Sequence, residues 1–313
     1  MRLGRLRDFM PDPSLTVLLI HRNQPTRCLA TEQAFLGQGV PMRMVVVDNG
    51  STDAALAELR AGLREADVWE LGDNLGFGPG ANAGLRRWLA GEGGDGDWVV
   101  IAPHDALPQP GCLAAMLAAV EAEPRVGLAS AEFGTDEIPV VDPYFGGMTI
   151  AAQRGEGWQP AGFVHGTLLL AQRACLQDIG LFDERYFAYC EEADLSVRAA
   201  AAGWQVGIVW GAVVRNPSWS SAPVADYLML RNSLLLVRTH FGRYKASVRW
   251  VIATMQLARA TVSPAARPAQ FNGRGRVLAL ADFVRGRFGP PPPTLLFADR
   301  PAIRGQMQKE RRS

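Results

Sequence analysis

Short apolar runs alternate with amphipathic stretches through the first third of the chain. Leu15–Ile20, Met44–Val47, Asp67–Leu71 and Trp98–Ala102 read as strands. Between them Thr26–Leu36, Ala54–Leu63 and Gly80–Leu89 carry helical spacing and good helix formers. This alternation predicts a mainly parallel sheet covered by helices on both faces, with ligands beyond the carboxyl ends of its strands. Two polar, glycine-rich segments fall at such ends, Asp48–Asp53 and Asn74–Gly84.

The pattern then loosens. Glu132–Gln159 has little periodicity and much Gly and Pro, and reads as a loop-rich connection. Gly162–Ala171 reads as a strand and Gln172–Ile179 as a helix. Glu191–Ala202 is a helix with acidic residues in its first turn, where the helix dipole favours them. Gly203 ends it, and Gln205–Val209 resumes as a strand. From Ala225 onward the pattern is helical. Asp226–Phe241 and Ala246–Val262 are long, apolar over much of their surface and dotted with arginines. They suit packing on the core, a homodimer interface, or peripheral contact with a membrane. The Pro290–Pro293 run and the Lys309–Arg312 tail read as extended or disordered.

Composition narrows the function classes. A net charge of +1 argues against nucleic acid as a partner. Cys28, Cys112, Cys175 and Cys190 are scattered without a Cys-x-x-Cys pair, so neither a zinc site nor a disulfide framework is expected, and a reducing cytoplasm is. The basic start precedes an apolar run too short for a signal peptide, and no run approaches the ~20 apolar residues of a membrane span.

Four motifs carry candidate chemistry. Val45-Val46-Val47-Asp48-Asn49-Gly50-Ser51-Thr52-Asp53 runs an apolar strand into an acidic turn. Asp48 is placed to accept hydrogen bonds from a base or ribose, whereas Ser51 and Asp53 suit a ligand or a helix N-cap equally. In Asn74–Gly84 the glycines allow close backbone approach to a ligand. The spacing matches neither the dinucleotide fingerprint nor the P-loop. Pro103-His104-Asp105 ends the fourth strand, and there an oxygen ligand suits Mg2+ or Mn2+ while a neighbouring imidazole favours Mn2+. A plain surface His-Asp pair is the alternative. Gly180–Arg198 sets Glu191, Glu192 and Asp194 at a helix start behind an aromatic turn. A carboxylate held there can deprotonate a hydroxyl. An Asp194–Arg198 pair one turn apart is the structural alternative for Asp194.

In this order and spacing the motifs resemble family 2 glycosyltransferases of the rhamnosyltransferase- and galactofuranosyltransferase-like branch, from about Leu15 to Pro291. The resemblance implies a GT-A fold, α/β with a Rossmann-like, mainly parallel central sheet and helices on both faces, plus a C-terminal helical extension. The implied domains are a catalytic unit over 1–224 (nucleotide half about 14–111, acceptor half about 112–224), helices over 225–289, and a tail over 290–313. It implies an inverting transfer from a nucleotide-sugar donor, of the dTDP-rhamnose or UDP-hexose type, to a glycan, lipid-linked or small-molecule acceptor. Arg22 stands where the family often has Tyr beside the base, and its flat guanidinium can stack there. Arg22, Asp48, Asn49, Ser51, Asn74, Gly76, Asn82, His104 and Asp105 fall at donor-binding positions. Glu192 aligns with the general base, with Glu191 and Asp194 orienting it or the acceptor.

Two positions depart from the family. Its Asp-x-Asp segment is Pro103-His104-Asp105 here, keeping only the last Asp. Its later His, a metal ligand, is Asn216. A weakly held divalent cation, Mg2+ or Mn2+, at Asp105 with Asn216 and a compensating His104 is therefore expected. The competing reading is a degenerate sugar-nucleotide-binding subunit with a scaffold role. A nucleotidyltransferase fits less well, because His21-Arg22-Asn23-Gln24-Pro25 lacks its Gly-rich basic loop. The expected location is the cytoplasm, peripheral to the inner membrane face.

Overall fold

Val17 and Leu19 face one side of the first strand, Leu18 and Ile20 the other, and all four are buried. A strand apolar on both faces belongs inside a covered sheet. In the computed structural model, which describes residues 15–92, 94–216, 223–268 and 271–296, this strand, β1 (Leu15–His21), lies within a nine-stranded sheet. It pairs in parallel with β2 (Arg43–Asp48) on one side and β4 (Trp98–Pro103) on the other; β3 (Asp67–Glu70) lies parallel beyond β2. Helices α1 (Pro25–Leu36), α2 (Asp53–Gly62) and α3 (Phe77–Leu89) make the crossovers. The chain runs outward from β1 to β3 and then returns to β1's other flank. That reversal opens a crevice at the carboxyl ends of β1, β2 and β4.

Past β4 the sheet is mixed. β10 (Leu169–Gln172) lies antiparallel between β4 and β6 (Val126–Glu132), and β11 (Gln205–Arg215) is parallel to β6. The end of β11 pairs antiparallel with short β5 (Leu107–Pro108), and β9 (Gly157–Pro160) pairs antiparallel with its middle. Helices α4 (Cys112–Ala122), α5 (Arg173–Ile179) and α6 (Glu191–Ala201) complete this half.

Two expectations need correction. Glu132–Gln159 is not loop-rich: it holds β9 and a hairpin of β7 (Glu137–Asp142) and β8 (Gly146–Ala151). The Asp142 carboxylate closes its turn by accepting from the Tyr144 and Phe145 amides, a local bond that hydrophobic periodicity does not register. Gly162–Ala171 is a strand only from Leu169. The preceding segment lies over α6, where the Val164 amide donates to Ser196 Oγ.

The C-terminal helices form as expected and pack against the turn before α6. Helix α7 (Pro223–Val262) breaks at Gly242, whose φ of 90° is non-helical. Leu234, Leu257 and, from α8 (Gly273–Val284), Leu280 and Phe283 form a buried cluster that includes Phe187. A short α9 (Pro293–Leu296) begins within the expected tail; residues from 297 onward lie outside the described residues.

Candidate active site

β1 and β2 end side by side, so their register sets His21 opposite Asp48. Both are buried. His21 Nδ1 lies 3.0 Å from Asp48 Oδ1, and His21 Nε2 accepts from the Gln24 amide at 3.2 Å. An amide can only donate, so the neutral ring carries its proton on Nδ1 and gives it to Asp48. Ser51 donates its hydroxyl to Asp48 Oδ1 (2.5 Å) and its amide to Oδ2 (3.1 Å). Burial alone would raise the Asp48 carboxyl, but these bonds outweigh it and hold it below the ordinary carboxylate range. Asp48 is thus a fixed anion at the crevice. His21 was not singled out in the sequence; the available signal was a polar residue ending an apolar strand, as Asp48 does. The α2 cap is neither Ser51 nor Asp53 but Thr52, which accepts from the Ala55 amide. Arg22 follows β1 and is exposed at the same sheet end.

The glycine-rich loop is held from inside. Asn49 Nδ2 donates to the Gly76 carbonyl (2.8 Å) and its Oδ1 accepts from the Leu75 amide (2.9 Å). Asn82 donates to the Phe182 carbonyl and accepts from its amide. Both side chains, expected among the donor ligands, are buried and spent on the protein: they position the loop. Asn74 turns the loop by accepting from the Gly76 amide. Gly76 has a φ of 96°, and a Cβ there would lie 2.2 Å from the Phe187 carbonyl oxygen. The loop backbone therefore sits directly on the aromatic turn before α6.

At the end of β4 the antiparallel β5–β11 pairing brings Asn216 beside Asp105, with Nδ2 donating to Oδ1 at 3.2 Å. His104 Nδ1 points at the Ile20 carbonyl (3.2 Å). Burial lowers its pKa despite the neighbouring Asp105, so its Nε2 is a neutral acceptor, the form a metal requires. Among the described residues no three His, Cys, Asp or Glu side chains converge on one point. The available set is one carboxylate and one amide, with His104 adjacent. These hard donors suit Mg2+ or Mn2+, which keep positions for water and phosphate oxygens.

The acidic helix enters through a strained turn. Tyr189 (φ 69°) and Cys190 (φ 72°) are both left-handed, a conformation non-glycine residues rarely adopt. Asn232 of α7 holds them, donating to the Ala188 and Tyr189 carbonyls at 2.8 Å. Arg231 braces Asn232 and reaches the Gly289 carbonyl. The turn sets Glu191 and Glu192 at the first positions of α6. Glu191 is buried, its Cγ packing toward Gly78, and Glu192 is partly exposed beside Gly166. Each has an Oε2 without a partner. Burial raises both carboxyls, Glu192 to about 7, and Glu191 is pushed further by its neighbour's charge. The two therefore titrate as a coupled pair, in which one charge opposes the other. The Tyr189 phenol, also raised by burial, feels Glu191, Glu192 and Asp105 together, and so links the acidic helix to the end of β4. Asp194 differs: its carboxylate is fully engaged by Arg198 (2.9 Å) and His240 (2.8 Å). The structural alternative for Asp194 is what the fold contains.

A crevice at a sheet reversal, with an anion at β2, a hard-donor pair past β4 and an acidic helix across from them, defines a GT-A-type glycosyltransferase. Residues 17–178, more than half of the chain, match the glycosyl transferase family 2, and the chain belongs to that family. It is 28% identical over 257 residues to an N-acetylglucosaminyl-diphospho-decaprenol L-rhamnosyltransferase of Mycobacterium tuberculosis, covering 72% of this chain and 81% of the relative. Its fold resembles a mannosyltransferase of Pyrobaculum calidifontis solved with GDP-Man and Mn2+ (18% identity, TM-score 0.54, 96% of this chain and 81% of that one). It also resembles GalNAc-T7 solved with UDP, GalNAc and Mn2+ (13% identity, TM-score 0.54, 88% and 56%).

Proposed function

We propose that this enzyme is an inverting transferase in which Glu192 takes the proton of the acceptor hydroxyl as that oxygen attacks the anomeric carbon. The bond to the diphosphate breaks on the opposite face, and its electron pair leaves with the nucleotide. The observation that carries this reading is the Glu192 carboxylate: on a half-buried residue beside Gly166, its Oε2 is shielded and unpartnered, and burial brings its ionisation to about 7. Asp48 and Arg22 suit a nucleoside, through hydrogen bonds and stacking. Asp105 with Asn216 would hold a divalent cation, which would supply charge neutralisation of the leaving diphosphate. The name of the mycobacterial relative gives L-rhamnosyl transfer, which supports a dTDP-rhamnose-type donor for this chain; a UDP-hexose is the other candidate. With excess chelator we expect nucleoside diphosphate release to fall at least about tenfold and to return with Mn2+, and D105N to stay low in both conditions. Full activity in chelator would remove the ion from the mechanism.

The same relative's name gives a lipid-linked acceptor, and α7 carries a surface suited to meeting one. Tyr244, Val251, Met255 and Val262 recur every seven or four residues, so they form one stripe, and they are 76%, 49%, 59% and 84% exposed. The opposite side of the helix is already buried through Ala253, Leu257 and Ala260. Residues 243–287 hold nine Lys and Arg; Arg276 is paired with Asp226 and Arg249 is shielded, which leaves seven against a single acid, buried Asp282. A second copy would set this cationic surface against itself, whereas an anionic bilayer complements it. No described helix is long and apolar enough to cross a membrane, so the contact is peripheral. The full chain should float with phosphatidylglycerol vesicles, less so in high salt, and the V251E/M255E double variant should not. Equal flotation of the variant would reject this surface.

A further inference from the structure

Among the described residues of the C-terminal helices, Arg249 is the guanidinium whose shielded donors have no hydrogen-bond partner. Arg276 is bound by both oxygens of Asp226, Arg231 by Tyr227, Asn232 and Gly289, and Arg238 lies over Phe283 and Phe288. Arg249 of α7 is different: its Nε and Nη1 are closed off from solvent, and neither has a hydrogen-bond partner. Burial lowers its pKa and Arg276 adds to that, with Cys190 and Asp142 opposing only in part. A shielded cation with idle donors is a demand for an anion.

The surroundings say which one. The Phe145 ring lies 5.2 Å from the Arg249 guanidinium, and one helical turn earlier Lys245 lies 5.8 Å from the Tyr144 ring. Both rings are at the tip of the β7–β8 hairpin and are themselves about two-fifths exposed (41% and 37%). Cation and apolar ring thus alternate along one edge. This edge adjoins the acidic helix. A Cβ at Gly147, next to the tip, would lie 3.7 Å from Cβ of Ala193, the residue after Glu192. Arg249 is also close enough to Cys190, the residue before Glu191, to act on its thiol. The edge is built from α7 and the hairpin, whereas Asp48 and Asp105 come from β2 and the end of β4.

We infer that Arg249, with Lys245, binds a phosphate or diphosphate group carried by the acceptor, and that Tyr144 and Phe145 take the apolar chain attached to it. The inference rests on the proposed transfer at Glu192 and names the acceptor's chemical class and its specificity-determining residue. The guanidinium fork offers paired donors to phosphate oxygens, and an acceptor phosphate held here leaves its sugar hydroxyls to reach Glu192.

The test is binding of geranyl diphosphate, geraniol, inorganic pyrophosphate and nucleoside diphosphates to the full chain by calorimetry. For geranyl diphosphate we expect at least tenfold weaker binding in Arg249→Met, with partial recovery in Arg249→Lys. Geraniol and nucleoside diphosphates should bind as in wild type. Pyrophosphate should bind more weakly than geranyl diphosphate, since it lacks the chain that meets the rings. Unchanged geranyl diphosphate affinity in Arg249→Met would overturn the inference, as would a parallel loss of nucleoside diphosphate binding, which would move Arg249 to the donor. If Arg249→Met does not fold, Arg249→Lys decides alone, since it keeps the charge and loses the fork. Glu192→Gln separates this inference from the reading beneath it: transfer should fail there while geranyl diphosphate still binds.

Discussion

Replacing Glu192 with glutamine should lower transfer about a thousandfold and, at pH 8, make the protein more stable. The first effect is the loss of a general base, worth about two to four powers of ten. The second follows from the same burial that tunes it. Glu192 ionises at about 7 in the fold against an ordinary 4.5, so the folded state holds its proton more tightly than the unfolded chain does. The contribution of the neutral carboxyl is fully present below 4.5 and is lost as pH rises through 7. Above that the fold carries a costly buried charge, on the order of 3 kcal/mol. Glutamine carries none, so E192Q should melt higher than wild type at pH 8 and no higher at pH 4. Wild-type kcat/KM should fall tenfold for each pH unit below about 7, because the base must be ionised. E191Q is the control. If E192Q keeps more than a tenth of the activity while E191Q loses it, the base is Glu191.

The acidic helix also marks what a sequence can tell. Its carboxylates and the strand-turn segment at Asp48 were legible because each lies in a contiguous motif next to an element boundary. The parallel strands from Leu15 to Ala102 were legible because apolar runs between helices leave few other arrangements. The roles of the asparagines were not. Asn49 and Asn82 sit in the glycine-rich region as ligands would, but their partners are Gly76 and Phe182, and the latter is 100 residues from Asn82. His21 was invisible for a similar reason: only the β1–β2 register turns it toward Asp48. The hairpin at Tyr144 was hidden because its turn is stabilised by Asp142 rather than by a hydrophobic pattern. Long-range pairing decided each case, and nothing local to the chain encodes it.

Asp194 is where this distinction has its largest energetic consequence. D194A should destabilise the fold by about 3–5 kcal/mol, the cost of removing one partner from a buried charged network. The side chain is only 2% exposed, and its two oxygens serve two different elements. One takes Arg198, whose remaining donors reach the Ile179 and Leu181 carbonyls at 2.7 Å and so tie α6 to the turn before Phe182. The other takes His240, fastening α6 to α7 just before its break at Gly242. Alanine would leave the Arg198 guanidinium and the His240 ring without their shared acceptor where little water reaches them. The midpoint of urea unfolding should fall with its slope unchanged, as for a loss of stability without a change of unfolded state. A D194A/H240A cycle should give a coupling of about 0.5–3 kcal/mol, as expected for groups in direct contact. On the fraction still folded, the pH profile should keep its break near 7, because Glu192 is untouched. If D194A instead proves as stable as wild type and loses affinity for acceptor alone, Asp194 binds substrate, and α6 must be fastened to α7 through Asn232 and the Tyr189 turn instead.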